Sequence, residues 1–186
     1  MSSRHTRLAS YLLLATLAAA CAGEATEEGA TPLPAAIHGL ALVESHSGNE
    51  AAQILIEMHG AEVVPPENHI GYYGTEELEA ALYISRFDGA AAADSSRVAM
   101  EQRIGAGSSG YGHPGRFEAG DHPVHMVFGY GQVHFFYTDA EALVWLAADM
   151  RIARPALAEL LQTVPDSIPT FEEIMRGREA ADAGSG

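Results

Sequence analysis

The side chains with the clearest chemical potential are three histidines in the second half of the chain. His122 and His125 are three residues apart, and His134 follows after a glycine-rich break. Imidazole nitrogens that converge from rigid elements are preferred ligands of Zn²⁺ and Cu²⁺. This spacing therefore predicts a metal site formed by His122, His125 and His134. The alternative interpretation is that His125 and His134 are half-exposed residues on the outer face of a sheet.

A long glycine-rich segment, residues 105–121, precedes these histidines. It contains Gly105-Ala106-Gly107-Ser108-Ser109-Gly110, which has the spacing of a dinucleotide fingerprint. That fingerprint follows a strand and begins a helix, whereas here a predicted helix comes first, so nucleotide binding is not predicted. A loop of this length is often a binding element, and disorder is the alternative. The recognition groups for a protein partner or small ligand would be Tyr111, His113, Arg116 and Phe117.

Other patterns give little indication of catalysis. Ser108 and Ser109 have His113 nearby in sequence, but the G-x-S-x-G elbow that positions a nucleophilic serine is missing. The paired carboxylates Glu76-Glu77 and Glu172-Glu173 fall at turns or helix starts, where solvation or the helix dipole accounts for them. The sequence therefore favours a binding domain over an enzyme.

A β-hairpin is predicted to position the histidines. Residues 123–128 and 132–138 flank Gly129-Tyr130-Gly131, and a two-residue turn at Tyr130-Gly131 would pair Val127 with His134. Alternation then places one row of large apolar side chains towards the core. The opposite face would carry His125, Val127, His134 and Phe136, with the two histidines diagonal and their Cβ atoms about 7 Å apart.

Apolar spacing and capping residues predict further elements on both sides of the hairpin. These are helices at 48–59, at 90–104 and after Pro155 and Thr170, and strands at 69–73, 81–87 and 143–148. For residues 143–148 a helix is the alternative. Runs of strands flanked by helices indicate an α+β fold. We expect an antiparallel sheet of about five strands with helices packed on one face.

The N-terminus has the organisation of a signal peptide. Arg4 and Arg7 precede an apolar run, residues 8–20, that would span about 20 Å as a helix, well short of the bilayer core of about 30 Å. Residues 17–21, Leu-Ala-Ala-Ala-Cys, resemble the lipobox of bacterial lipoproteins, although Ala18 stands where that family has a larger aliphatic residue. The resemblance implies that residues 1–20 are removed and that Cys21 is lipidated. Cleavage at the same bond by an ordinary signal peptidase is the alternative.

Cys21 is the only cysteine, so an internal disulfide is impossible and the residue is better explained as an anchor. In Gram-negative lipoproteins an aspartate after this cysteine marks inner-membrane retention. Ala22 therefore implies, by that resemblance, the periplasmic leaflet of the outer membrane or the cell surface. Residues 21–34 are expected to form a flexible tether, 35–176 a single domain and 177–186 a disordered tail.

The net charge limits the partners of the mature chain. Loss of the signal peptide removes two of the 10 basic residues and none of the 25 acidic ones, which takes the formal charge from −15 to −17. Such a surface repels phosphate backbones, so nucleic acid is excluded as a partner. The leading hypothesis is a membrane-anchored periplasmic or surface domain that binds a protein or small ligand. The alternatives are a metal-binding protein and a structural envelope lipoprotein.

Overall fold

A computed structural model describes residues 32–59, 65–107 and 110–184. The predicted signal peptide, Cys21 and most of the predicted tether lie outside these ranges. The elements follow one another as β1 (Ala36–Ile37), β2 (Leu40–Ser47), α1 (Gly48–His59), β3 (Glu67–Gly74), β4 (Glu79–Arg86), α2 (Ala90–Gly105), β5 (Gly112–Ala119), β6 (His122–Gly129), β7 (Gln132–Asp139), β8 (Ala142–Ala148), α3 (Ala153–Leu160), a 3₁₀ turn (Pro165–Ser167) and α4 (Phe171–Gly184). None of the described helices combines the length and apolarity needed to cross a bilayer.

The described strands form one sheet in the order β1-β2-β3-β4-β8-β7-β6-β5, with every neighbouring pair antiparallel. The last four strands form a meander, and β8 returns to pair with β4. This pairing brings Tyr83 opposite Trp145, and Trp145 lies opposite Phe136 on β7. A row of aromatic side chains therefore crosses the centre of the sheet.

The prediction of about five strands is wrong, because the sheet has eight. The additional strands are β1, β2 and β5. Strand β2 carries mostly exposed or half-buried side chains, so it lacks an apolar alternation. Strand β5 contains Gly112, Pro114 and Gly115, which are typical of loops, and it is tolerated at the sheet edge, where Pro114 loses no essential ladder hydrogen bond. The segment predicted as a long loop therefore holds a strand.

The prediction that helices cover one face of the sheet is also wrong. Helices α3 and α4 contribute Leu157 and Ile174 to the main core on one face. Helix α1 packs Ala51 and Leu55 on the other face, and α2 packs Ile104 beside them. Because both faces carry large apolar side chains, each needs a cover. We call the face covered by α3 and α4 the α3 face, and the face covered by α1 and α2 the α2 face.

The α3 face holds the larger core. Phe135, Leu146 and Leu157 are almost inaccessible to solvent, and each such side chain contributes about 1.5–3 kcal/mol on burial. Arg154 donates to the carbonyl oxygens of Pro165 and Ile168, which fixes the 3₁₀ turn against α3. The clusters of buried side chains on the α2 face are smaller.

Several predicted elements are confirmed. The hairpin turns at Tyr130-Gly131, both residues have positive φ as a type I′ turn requires, and Val127 pairs with His134. At the start of α4 the Thr170 backbone amide donates to the Glu173 carboxylate at 2.7 Å, which is the predicted capping interaction. Helix α4 continues to Gly184, so helix covers most of residues 177–186.

Candidate functional site

A cleft of about 890 Å³ lies between α1 and α2, above the centre of the sheet. Ligand sites in proteins commonly have about 300–1,000 Å³. A smaller space of about 120 Å³ adjoins it and shares Met58, Tyr83, Met100 and Trp145 with its lining. We refer to both together as the central cleft.

Two alanines create the space at the floor of the central cleft. Ala81 on β4 and Ala147 on β8 are cross-strand partners, and they continue the row formed by Tyr72 and His134. The next row on the same face, two residues away along each strand, consists of Ile70, Tyr83, Trp145 and Phe136. Because these small side chains lie between large aromatic ones, the surface of the sheet has a depression there. Helices α1 and α2 cover only the two sides of this depression.

Exposed apolar side chains surround the mouth of the cleft. Six large apolar side chains among the described residues are clearly exposed, and three of them line this cavity: Val43 at 65%, Met58 at 48% and Tyr130 at 76%. Clustered exposure of this kind marks an interaction site more often than scattered exposure does. The mouth therefore offers an apolar entrance to an aromatic floor.

The polar atoms of the floor already bond to one another. Trp145 Nε1 donates to His134 Nδ1 at 3.1 Å, and His134 Nε2 lies 3.0 Å from the carbonyl oxygen of Gly129. Since Nδ1 accepts and a carbonyl can only accept, the proton of neutral His134 must sit on Nε2. Burial lowers the pKa of His134, which favours this neutral form. The floor therefore presents ring surfaces to a ligand and few free hydrogen-bonding groups.

Two tyrosines of the cleft, Tyr83 and Tyr111, are poorly solvated. Burial, followed by the effect of neighbouring Tyr72, raises the pKa of Tyr83. Burial and then Tyr130 raise the pKa of Tyr111 in the same direction. Both phenols stay neutral at physiological pH, so neither of these two rings carries a phenolate charge.

Tyr111 forms one wall of the cleft through contacts that glycine permits. Its ring meets His134 and Trp145 edge-on, with centroids 4.9 and 5.5 Å away, and also contacts Tyr130. A Cβ atom at Gly129 would collide with the Tyr111 ring. Gly129 thus allows the ring to lie directly on the β6 backbone and close one end of the cleft.

The three histidines of the predicted metal site are held by other groups. His134 bonds to Trp145 and Gly129, while His122 Nδ1 lies 3.3 Å from the carbonyl oxygen of Thr138. His125 Nε2 accepts from Arg97 at 2.9 Å. Within the described ranges, no three His, Cys, Asp or Glu side chains come together as metal ligands. Zinc or copper binding at these histidines stays a prediction, and it would require these bonds to break.

Instead of an open histidine pair, the α2 face contains a buried charge network around His125. Arg97 on α2 is almost buried and binds Asp94 at 2.7 Å and Glu101 at 3.3 Å. Its donation to His125 leaves His125 Nδ1 facing Glu101 at 3.5 Å, and the His125 ring stacks on Phe136. The outer face predicted for His125 and Phe136 is therefore buried beneath α2.

The four predicted recognition residues do not form one surface. Tyr111 belongs to the central cleft, but Phe117 packs on Phe135 and His113 on Phe128 and Phe171, on the α3 face. Arg116 lies opposite His125 and lines a separate cavity of about 630 Å³ between the ends of α2, β5 and α4. Of the four, Tyr111 alone lines the central cleft, and recognition of a partner or ligand by these residues stays a prediction.

Sequence reasoning missed most of the cleft residues. Ala81, Ala147, Met58 and Met100 carry no chemical signature, because alanine and methionine are ordinary core residues. A usable signal was the single tryptophan, which lies on a predicted strand next to alanines at 147 and 148. For Arg97, acids at positions three before and four after it on one predicted helix were the corresponding signal.

Comparisons with known proteins add no relative. No protein-family model matches the chain, and no curated protein or solved structure matches it. Any function must therefore be argued from the geometry of the site.

Proposed function

We propose that this protein is a lipid-anchored envelope protein whose folded domain binds a small apolar or aromatic molecule in the central cleft. The observation that carries the proposal is the cleft itself, about 890 Å³ in volume with an aromatic floor and an apolar mouth. The anchor rests on the resemblance of residues 17–21 to a lipobox. A tethered binding domain would hold its ligand close to the membrane surface.

The lining favours a small molecule over a protein partner. Tyr83, Trp145 and His134 form a concave floor, and a concave, mainly apolar surface with few polar groups is typical of small-ligand sites. A planar or aliphatic body would gain about 25 cal/mol for each Å² of apolar surface removed from water. Edge-on and stacked ring contacts with Trp145 and Tyr111 would favour particular orientations of an aromatic ligand.

The test uses a neutral fluorescent probe, N-phenylnaphthylamine. The exported chain with Cys21→Ser avoids detergent micelles, which would take up the probe. We expect saturable single-site binding with a dissociation constant on the order of 1–10 µM. A structural envelope protein without a ligand site would give only weak, non-saturating fluorescence, and that result would contradict the proposal.

A matched pair of substitutions locates the site. Ala147→Leu places three more carbon atoms in the cleft floor and should weaken probe binding about tenfold or more, because it fills the space that the ligand needs. Ala92→Leu makes the same change on the exposed side of α2 and should leave binding unchanged. Equal binding by both variants would place the probe somewhere else.

A further inference from the structure

The charges at the rim of the central cleft are unusual for so acidic a chain. Most arginines with described side chains are bound to acids or carbonyl oxygens, as Arg86 is to Glu141 and Arg151 to Asp149. Arg103 and Arg116 are the exceptions, since neither guanidinium makes a hydrogen bond or ion pair with the described residues. Of these two, only Arg103 lines the central cleft.

Arg103 is an exposed residue of the last turn of α2 and borders both parts of the cleft. The residue one turn earlier, Met100, contributes to the apolar wall, so the guanidinium lies where the wall meets solvent. Because its guanidinium has no partner among the described residues, Arg103 can bind a carboxylate, sulfonate or phosphate. Its long apolar stem can also cover part of a bound ring.

The acid of the cleft has a partner of its own. Glu79 lines the cavity beside Thr75, and its carboxylate accepts a hydrogen bond from Gln132 Nε2 at 3.2 Å. Among the described residues that line the cleft, the acid Glu79 therefore has a partner and the cation Arg103 has none. A chain with a formal charge of −15 would otherwise repel anions, so a cation that no described residue neutralises, beside an aromatic floor, gives this place a distinct preference.

We propose that the ligand of the central cleft is an anionic amphiphile, with an aromatic or aliphatic body on the floor and an acidic group bound by Arg103. This inference rests on the proposed function, because it assigns the chemical class of the molecule bound there. The body supplies most of the affinity through burial, and the acid group fixes the orientation at the mouth.

Two probes that differ only in charge test the inference. Anilinonaphthalene sulfonate has the ring system of N-phenylnaphthylamine and one added sulfonate. Arg103→Gln should weaken binding of the sulfonate roughly fivefold more than it weakens binding of the neutral probe. Arg103→Lys should keep most of the sulfonate affinity. Arg116→Gln, which alters the separate cavity, should change the binding of neither probe. Added salt should weaken the binding of the sulfonate probe only.

The outcomes separate the two proposals. If the neutral probe binds in the cleft but sulfonate affinity is the same with arginine or glutamine at 103, the anionic ligand class is wrong and the binding function stands. If the neutral probe does not bind the unsubstituted domain, the binding function itself fails. Equal losses for both probes in Arg103→Gln would show that Arg103 shapes the wall instead of binding an acid, and would also overturn the inference.

Discussion

Trp145 Nε1 donates a hydrogen bond to Nδ1 of His134, 3.1 Å away on the neighbouring strand. The bond joins two polar rings of the cleft floor and fixes both in place. Because His134 Nε2 is turned towards the Gly129 carbonyl oxygen, the indole cannot be replaced by an acceptor without leaving two acceptors facing each other. The floor is therefore a rigid surface whose polar groups are satisfied before any ligand arrives.

The first prediction concerns the energy of this bond. Trp145→Phe should lower the free energy of unfolding by roughly 1–3 kcal/mol, because it removes a donor from a buried acceptor and leaves a small void. A double-mutant cycle with His134→Ala, measured by urea denaturation, should give a coupling of about 1 kcal/mol. Additive effects of the two substitutions would show that the bond contributes nothing to stability.

The second prediction is a fall in stability on mild acidification. Burial lowers the pKa of His134 and of His125, where Glu101 opposes and Arg97 assists the shift. The unfolded chain, with histidine pKa values near 6.5, then takes up protons that the folded protein resists. Stability from these groups is complete above about pH 6.5 and is lost as pH falls below it.

Urea unfolding midpoints at about pH 7.5 and about pH 5.5 measure this effect. Carboxylates with lowered pKa values, such as Glu173, lose their contribution only in more acidic solution, so they do not obscure it. His134→Gln should reduce the difference between the two midpoints, whatever its effect on absolute stability. A midpoint that rises on acidification would contradict the assignment of neutral, buried histidines.

The third prediction compares two arginines. Arg97→Met removes an almost buried cation that holds Asp94, Glu101 and His125, and it should cost roughly 2–4 kcal/mol of unfolding free energy. Arg176→Met breaks an exposed pair with Glu172 and should cost less than about 1 kcal/mol. Similar losses in thermal or urea unfolding would mean that the network beneath α2 is not a structural element.

The fourth prediction concerns the anchor. Cys21→Ser should abolish incorporation of labelled fatty acid and move the protein from the membrane to the soluble fraction, because serine offers no thiol for the diacylglyceryl group. Ala22→Ser, one residue further on, should leave the protein in the membrane fraction. Retention of Cys21→Ser in membranes would contradict the lipoprotein assignment and leave the ordinary signal peptidase as the explanation.

Local signals in the sequence were sufficient for elements whose rules are local. The type I′ turn at Tyr130-Gly131 fixed the pairing of Val127 with His134, and Thr170 with Glu173 marked the start of α4. Strand β5 was missed because glycine and proline describe a loop and an edge strand equally well. Alternation along β6 and β7 separated two faces, but it could not tell that α2 covers the second one.

The cleft was beyond the reach of sequence reasoning for a different reason. It arises where Ala81 and Ala147 become neighbours, and that depends on β4 pairing with β8, more than sixty residues apart along the chain. Likewise, a binding role for Arg103 can be inferred only from the cavity that it borders. The histidines drew attention because their chemistry is specific, yet His125 and His134 make their contacts within the packed α2 face.

The central claim is most directly tested by energy transfer from Trp145 to bound N-phenylnaphthylamine. Trp145 is the only tryptophan of the chain and lies in the cleft floor, so all tryptophan emission comes from this site. We predict that Trp145 emission is quenched as the probe saturates, with the same midpoint as probe fluorescence, and that Ala147→Leu moves both midpoints together to a probe concentration about tenfold higher or more. Saturable probe binding with unchanged Trp145 emission would contradict the account, because the ligand would then lie outside the central cleft.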